Sequence, residues 1–329
     1  MNYPLVSVII PNYNHSKYLV ERIESVLNQV YENFEVIILD DCSTDNSREV
    51  ISQYRKHPKV SHIVYNESNS GTTFKQWQKG FNLSQGDYIW IAESDDSMDP
   101  RFLQDIMFGI NSFDSVALAF TNTVLITSEG FEIDADPDLD DYCESRYSLH
   151  KGMDFIYDKM LYRNRIYNAS AVVFKRDILT QIDSEYLNYR FCGDWVFWIE
   201  VLRNGNVLWL HEKYNRFRKH SNKVSPKADL EGVDYKEKHR LIKYLKYRFD
   251  LSYMQVISFV GNVYLNLLRS HVISKEARKR ELKTWVNEYP AILFYALVRV
   301  FQVLPRRLLF KLGFCKKYKK THVINQICK

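Results

Sequence analysis

Tyr88-Ile89-Trp90-Ile91-Ala92-Glu93-Ser94-Asp95-Asp96-Ser97-Met98-Asp99-Pro100 passes from an apolar run straight into a knot of carboxylates. Tyr88 to Ala92 are bulky and uncharged and follow the turn pair Gly86-Asp87, which predicts a buried strand. Glu93, Asp95, Asp96 and Asp99 then crowd into seven residues. Pro100 suits the first turn of a following helix, where its missing N–H costs nothing, and Asp99 stands where a cap would. The acids therefore lie on a loop at the carboxyl end of a strand, the place where ligands bind in open α/β sheets. Carboxylates this close repel one another unless something positive joins them. A hard divalent cation with oxygen ligands, shared with a phosphate, would do so. Taken alone, such a loop reads sooner as a solvated acidic turn with Asp99 as a helix cap.

The residues before it decide between the two. Leu5 to Ile10 form a strand ended by Pro11, and the loop Pro11-Asn12-Tyr13-Asn14 follows. Leu19, Val20, Ile23, Val26, Leu27 and Val30 then recur at helical spacing. Glu35 to Leu39 form a second strand that ends in Asp40-Asp41-Cys42-Ser43-Thr44-Asp45, with Asp45 as an N-cap for the next helix. Val60 to Tyr65 form a third, followed by a loop from Asn66 to Thr73 and a helix with Phe74, Trp77 and Phe81 on one face. Strand, loop and helix recur four times up to Pro100, the pattern of a parallel sheet with right-handed crossovers. No G-x-G-x-x-G and no P-loop follows the first strand, so any phosphate is held by other means, with the carboxylate loop and a metal as the candidate.

Beyond Pro100 the pattern loosens. Phe102 to Ile110 read as a helix, Val116 to Asn122 as a strand, and Ser128 to Ser148 as an acidic irregular surface segment. Met153 to Tyr162 look helical, Ala169 to Phe174 form a strand, and Gly193-Asp194 opens a helix carrying Phe197, Trp198, Val201 and Leu202. Val207 to Leu210 are a short strand, and the run Asn215 to Ser221, with Arg218-Lys219-His220, closes this region. From about Asp234 the texture is helical without strands.

Composition sets outer bounds. A chain of 329 residues with 46% hydrophobic and 26% charged residues is an ordinary globular protein of one large or two small domains. Aromatic residues reach 15%, enough for ring stacking at a site or for packing alone. Five cysteines in no zinc-ligand spacing read as free thiols of a reducing compartment. The start of the sequence lacks a basic segment with an apolar core, and no window approaches the ~20 apolar residues of a membrane span. The net charge of +5 is uneven: nine cations and no acid follow Glu288, which leaves −4 for the first 288 residues. That asymmetry argues for an anionic surface near the tail and against nucleic acid as the partner of the whole protein. Ala291 to Pro305, apolar but interrupted by Arg299 and Gln302, reads as a helix lying in a membrane interface; a helix packed on the body with a solvated basic end is the alternative.

Four pieces now stand in fixed order: Ser7-Val8-Ile9-Ile10-Pro11-Asn12-Tyr13-Asn14, Asp40-Asp41-Cys42-Ser43-Thr44-Asp45, Glu93-Ser94-Asp95-Asp96 and Gly193-Asp194-Trp195. Together they resemble the family 2 glycosyltransferases of GT-A fold, across residues 5–225 and not in the tail. The resemblance implies a GT-A-type open, mostly parallel α/β sheet flanked by helices, followed by a helical C-terminal region. It implies a catalytic domain over 1–225, with a donor half of about 1–100 and an acceptor half of about 101–225; the residues of 226–329, outside the resemblance, read as a basic, helical, membrane-interfacial region. The activity implied is inverting, metal-dependent transfer from a nucleotide-sugar, UDP-sugar favoured, to a glycan or lipid-linked acceptor in surface polysaccharide synthesis. The cofactor would be Mn2+ or Mg2+, and the location cytoplasmic, peripheral on the inner face of the cell membrane. By the same resemblance, Pro11, Tyr13, Asn14, Asp41, Lys75 and Asp95 contact the nucleotide, with Tyr13 against the base. Asp96 and His220 hold the metal, and Asp194 is the catalytic base. The sequence departs from the family at Glu93, where an aspartate is usual, and around Gly71-Thr72-Thr73-Phe74-Lys75, where many members carry an Ala-Arg-Asn segment. A non-catalytic sugar-nucleotide binder would lack Asp96 or Asp194, and a nucleotidyltransferase would carry a Gly-rich basic loop after the first strand; neither feature is found.

Overall fold

The computed structural model describes residues 3–133, 145–220 and 226–299. The acidic run from Asp134 to Asp141 and the basic tail beyond Arg299 lie outside the described residues. The chain divides into two compact units. Among the described residues, the first comprises 3–133, 145–160 and 164–220, and the second 161–163 and 226–299.

In the first unit the elements run β1 (Val6–Asn12), α1 (Ser16–Leu27), β2 (Phe34–Asp40), α2 (Ser47–Ser52), β3 (Val60–Tyr65), α3 (Thr73–Leu83), β4 (Tyr88–Ile91), β5 (Ser97–Met98), α4 (Phe102–Ser112), β6 (Val116–Ile126), β7 (Tyr147–His150), α5 (Gly152–Phe155), β8 (Val172–Lys175), α6 (Gly193–Leu202) and β9 (Asn206–Arg218). The described strands form one sheet in the order β3-β2-β1-β4-β8-β6-β9-β5, with β7 paired to β9. The four strands expected to be parallel are so: β1 lies between β2 and β4, in register from Val6↔Phe34 to Asn12↔Asp40 and from Val6↔Tyr88 to Ile9↔Ile91. Every residue of β1 is buried, as a central strand covered on both faces requires. β8 runs antiparallel to β4 and β6, while β6 and β9 are parallel.

Helices cover the sheet by their apolar stripes. α1 buries Tyr18, Leu19, Arg22, Ile23 and Val26, and α3 buries Phe74, Trp77 and Phe81. Much of the aromatic content goes to packing: Phe81, Phe174, Phe197 and Trp198 interleave with Trp77 at ring separations of 5.0 to 5.9 Å.

Four local expectations are corrected. The last strand runs to Arg218, not Leu210, because its far half pairs with β5, a two-residue strand inside the carboxylate segment. Tyr147–His150, read as the end of an irregular segment, is β7. Ala169–Ala171 form a 3-10 turn ahead of β8, capped by the Asn168 side chain. Pro100 precedes α4, and the Asp99 carboxylate accepts from the Arg101 N–H at its start.

The second unit is helical where described: α7 (Pro226–Glu231), α8 (Val233–Arg248), α9 (Tyr253–Arg269) and α10 (Lys275–Glu288), with residues 292–299 also helical. Ser252 and Gln255 form a capping box on α9, and Ser274 caps α10. Leu293, Phe294 and Leu297 are exposed, Phe294 by 71%. No described helix is long and apolar enough to cross a membrane.

Gly152, where α5 begins, has no room for a side chain: a Cβ there would lie 1.9 Å from the Leu202 carbonyl oxygen and 2.1 Å from that of Gly205. Both are backbone atoms and cannot swing away. Gly152→Ala should lower unfolding free energy by about 2 kcal/mol or more in a denaturant titration.

Candidate active site

The carboxylate segment is held by two buried arginines from distant parts of the chain. Arg22, on the buried face of α1, donates from Nε to the Glu93 carbonyl at 2.8 Å and from Nη2 to Ser170 Oγ at 3.0 Å, and stands 3.8 Å from Asp96 Oδ2. Neither Arg22 nor Asp96 has any side-chain exposure. Asp96 Oδ2 also accepts from Asn168 Nδ2 at 2.9 Å and Ser170 Oγ at 2.7 Å, and its Oδ1 accepts from the Arg218 N–H at 3.0 Å. The pairing of β5 with β9, Ser97↔Arg216, delivers that third donor. Arg218 then donates from Nε to the Asp95 carbonyl and pairs through Nη2 with Glu21.

Fixing Asp96 inward leaves its neighbour to face the site. Asp95 Oδ2 lies 3.0 Å from His220 Nε2, two residues beyond the end of β9. His15, at the start of α1, joins them: its ring stands edge-on to His220 at 5.4 Å, and its Nδ1 is 2.8 Å from Ser94 Oγ. One ligand atom each from His15, Asp95 and His220 fall within 4.8 Å of one another, so this trio can hold a metal ion. The donor set fits a divalent cation: one carboxylate and two imidazoles, with His220 Nδ1 buried and without a protein partner among the described residues. Of the two residues expected at the metal, His220 lies in this trio and Asp96 does not; Asp95, expected at the nucleotide, lies in it. Glu93 turns instead to α3, accepting from Trp77 Nε1 at 2.9 Å with Thr73 Oγ1 at 3.4 Å.

The charges follow from this packing. Burial, reinforced by the charge of Asp95, pushes the Glu93 carboxyl up to about 8 and drives Asp96 upward too, against the pull of Arg22. Asp95 goes the other way: burial would raise it, but the His220 hydrogen bond and the imidazoles beside it hold it below the usual carboxylate range. Burial pulls the His15 imidazole down, against the charge of Asp95.

The other expected residues gather at the ends of β1 and β2. Pro11 is buried within β1, and Tyr13 follows the strand half-buried. Asn14 takes a left-handed backbone, φ 57°, and its Oδ1 accepts from the Thr44 N–H at 2.8 Å, tying the two loops together. Asp40 accepts from Asn12 Nδ2, the Ser43 N–H and Arg48 Nε. Asp41 organises the loop after β3: its oxygens accept from Asn66 Nδ2 at 2.7 Å, Gln76 Nε2 at 2.8 Å, and both the N–H and hydroxyl of Ser70. Lys75 is exposed and donates to the Ser70 carbonyl. Asp45 bridges two helix starts, accepting from the N–H groups of Ser16 and Ser47.

Asp194 lies in the first turn of α6. Its Oδ2 accepts from Asn164 Nδ2 at 2.8 Å and its Oδ1 from the Trp195 N–H at 2.7 Å. Gly193 sits so close to α3 that a Cβ would meet the Phe74 ring at 2.4 Å. The same helix start holds Glu93 through Thr73 and Trp77.

Sequence reasoning missed Arg22, Ser170, Asn168, His15 and the structural part of Arg218. Only Arg22 left a trace, a cation at an apolar position of the α1 stripe.

The profile of glycosyl transferase family 2 matches residues 7–169. TuaG of Bacillus subtilis (strain 168), a glycosyltransferase assigned to teichuronic acid biosynthesis, is 31% identical over 224 residues, 68% of this chain and 82% of TuaG. TarS of Staphylococcus aureus (strain Mu50), a poly(ribitol-phosphate) β-N-acetylglucosaminyltransferase, is 35% identical over 103 residues, 30% of this chain but only 18% of TarS. The crystal structure of TarS residues 1–349 with UDP-GlcNAc superposes with a TM-score of 0.60 at 19% identity, covering 87% of this chain and 81% of that one. That superposition shows the fold, an open, mostly parallel sheet flanked by helices with a helical C-terminal region.

Removing one partner of a buried pair strands the other. Arg22→Met should cost about 3–5 kcal/mol of unfolding free energy. Combined with Asp96→Ala, the loss should fall short of the sum of the single losses by more than about 1 kcal/mol. Additive losses in the denaturant titrations would mean that the two side chains do not depend on each other.

Proposed function

The chain belongs to glycosyltransferase family 2, and from that premise we propose that it moves one sugar from a nucleoside-diphosphate sugar, UDP-sugar favoured, to a hydroxyl of a glycan or lipid-linked acceptor with inversion at the anomeric carbon. The product is a bacterial-type surface polysaccharide; the teichuronic acid biosynthesis assigned to TuaG and the poly(ribitol-phosphate) acceptor in the name of TarS support that setting. The observation that carries the reading is the meeting of Asp95, His15 and His220 beyond the end of β4.

In this reading Asp95 and His220, with His15 beside them, hold Mn2+ or Mg2+, which when bound supplies positive charge to the departing diphosphate. Tyr13 packs against the nucleobase, and Pro11 and Asn14 shape the loop beneath it. Asp41 sets the Asn66–Gln76 segment that borders the base, and Lys75 offers a point charge to the phosphates. Asp194 is the base. Asn164 and the Trp195 N–H fix its carboxylate, which takes the proton of the acceptor hydroxyl as that oxygen bonds to the anomeric carbon. The bond from that carbon to the phosphate oxygen breaks on the opposite side, and its electron pair leaves with the nucleoside diphosphate. No carboxylic acid is needed for a leaving group of such low basicity. Residues 1–225 perform the chemistry, with the donor half at about 1–100 and the acceptor half at about 101–225. Residues 226–329 rest on the inner face of the cell membrane through the exposed Leu293, Phe294 and Leu297 and the nine cations after Glu288.

Two measurements test the reading. With a panel of nucleotide-sugars and Mn2+, calorimetry should find one nucleotide class bound by wild type and by Asp194→Asn alike, while transfer by Asp194→Asn falls by about 10²–10⁴. Loss of nucleotide binding in Asp194→Asn would assign this carboxylate to the donor instead, and no binding by wild type would sink the transferase reading. Separately, sedimentation with vesicles rich in anionic lipid should capture the full chain but not neutral-lipid controls. Reversing Lys316, Lys317, Lys319 and Lys320 to Glu should weaken capture by 100-fold or more, at about 1 kcal/mol per cation.

A further inference from the structure

We propose that His15 is a third protein ligand of the cation site, and that the site takes a first-row transition ion ahead of Mg2+ and before any nucleotide arrives. This deepens the metal-dependent reading above and rests on it.

The argument starts from what His15 does otherwise. It occupies the N-cap position of α1, yet its side chain caps nothing: the ring accepts no hydrogen bond from the helix N–H groups. The helix is started by its backbone carbonyl, which receives the Tyr18 and Leu19 N–H groups. The ring is nonetheless oriented. Nδ1 meets Ser94 Oγ, the residue before Asp95, and the ring face is set by Tyr18 and His220 at 6.3 and 5.4 Å. One ring nitrogen tied to a neighbouring polar group while the other is left to ligate is the usual arrangement of metal-binding histidines.

His220 supplies the neighbouring donor. Its side chain is 9% exposed; Nε2 stands on the Asp95 carboxylate and Nδ1 is buried with no protein partner among the described residues. The 3.0 Å between His220 Nε2 and Asp95 Oδ2 matches the roughly 3 Å between adjacent ligand atoms at right angles about one ion with bonds of about 2.1 Å. With His15 within 4.8 Å of both, a small inward turn of one imidazole closes the set.

The chemistry of the donors gives the selectivity. Mg2+ prefers oxygen ligands, keeps several waters and is bound through one or two carboxylates and the substrate's phosphates. A site with one carboxylate would wait for the nucleotide to hold it. Two imidazoles add donors that suit transition ions, so the protein alone supplies three ligands to Mn2+, Co2+, Fe2+ or Zn2+.

The test uses the full chain, stripped of metal by chelation and free of nucleotide. Calorimetry with Mn2+, Co2+ and Mg2+ should find one site per chain for the first two and binding at least about tenfold weaker for Mg2+. His15→Ala and His15→Gln should each weaken Mn2+ by about tenfold or more while leaving the thermal unfolding of the metal-free chain unchanged. Pulsed EPR of bound Mn2+ should count two imidazole nitrogens in wild type and one in either variant. Equal Mn2+ affinity and two nitrogens in the variants would overturn the proposal. So would a nucleotide-free wild type that binds no Mn2+, even where nucleotide-sugar turnover depends on Mn2+; in that case the transferase reading stands and the His15 assignment falls. Mn2+ held through His15 in a chain that binds no nucleotide would support the assignment and remove the transferase reading.

Discussion

Asp96 is a carboxylate without contact with water, and it is kept there by Arg22 and three hydrogen-bond donors from widely separated segments. Such a group contributes little net stability, since taking both charges out of water costs about what their attraction returns. What it contributes is position. α1 ends its obligations there through Arg22, the 3-10 turn before β8 through Ser170, and β9 through the Arg218 N–H. The shared carboxylate ties these three elements to one point. With Asp96 anchored and the Asp95 carbonyl taken by Arg218, the Asp95 side chain has only the imidazole side to face.

Ser170 shows how economically the anchoring is done. Its one hydroxyl donates to Asp96 and accepts from the Glu93 N–H and Arg22, while its carbonyl receives Trp90 Nε1 at 2.7 Å. The donor and acceptor capacity of the hydroxyl is fully used. Neighbouring Asn168 spends its carbonyl oxygen on the Ser170 N–H and its amide on Asp96. These two residues sit in a stretch that reads as plain strand, yet they are the floor of the site.

How much of this was legible follows from the kind of interaction involved. The first four strands and their helices were readable because burial on both faces writes continuous apolar runs, and one-faced helices write a 3.6-residue stripe. The place of the carboxylate segment, at the carboxyl end of β4, was readable for the same reason: it follows such a run directly. Which of two adjacent aspartates turns inward was not readable, because it depends on Arg22, Ser170 and Arg218, at separations of 74 to 122 residues from Asp96. The length of β9 was hidden likewise, since Glu212 and Lys213 interrupt its apolar pattern and its far half is held by the two-residue β5. Asp41 looked like a ligand residue and is, among the protein's own groups, the organiser of the loop after β3.

The sequence separations inside the site have a consequence for biosynthesis. Arg22 reaches Ser170 across 148 residues, His220 reaches Asp95 across 125, and Arg218 reaches Glu21 across 197. On the ribosome, β1 to β4 can pair as they emerge with Arg22 beside Asp96, but the partner of Asp95 is missing until residue 220 has cleared the exit tunnel. The trio of His15, Asp95 and His220 therefore forms in one late event, when β9 arrives.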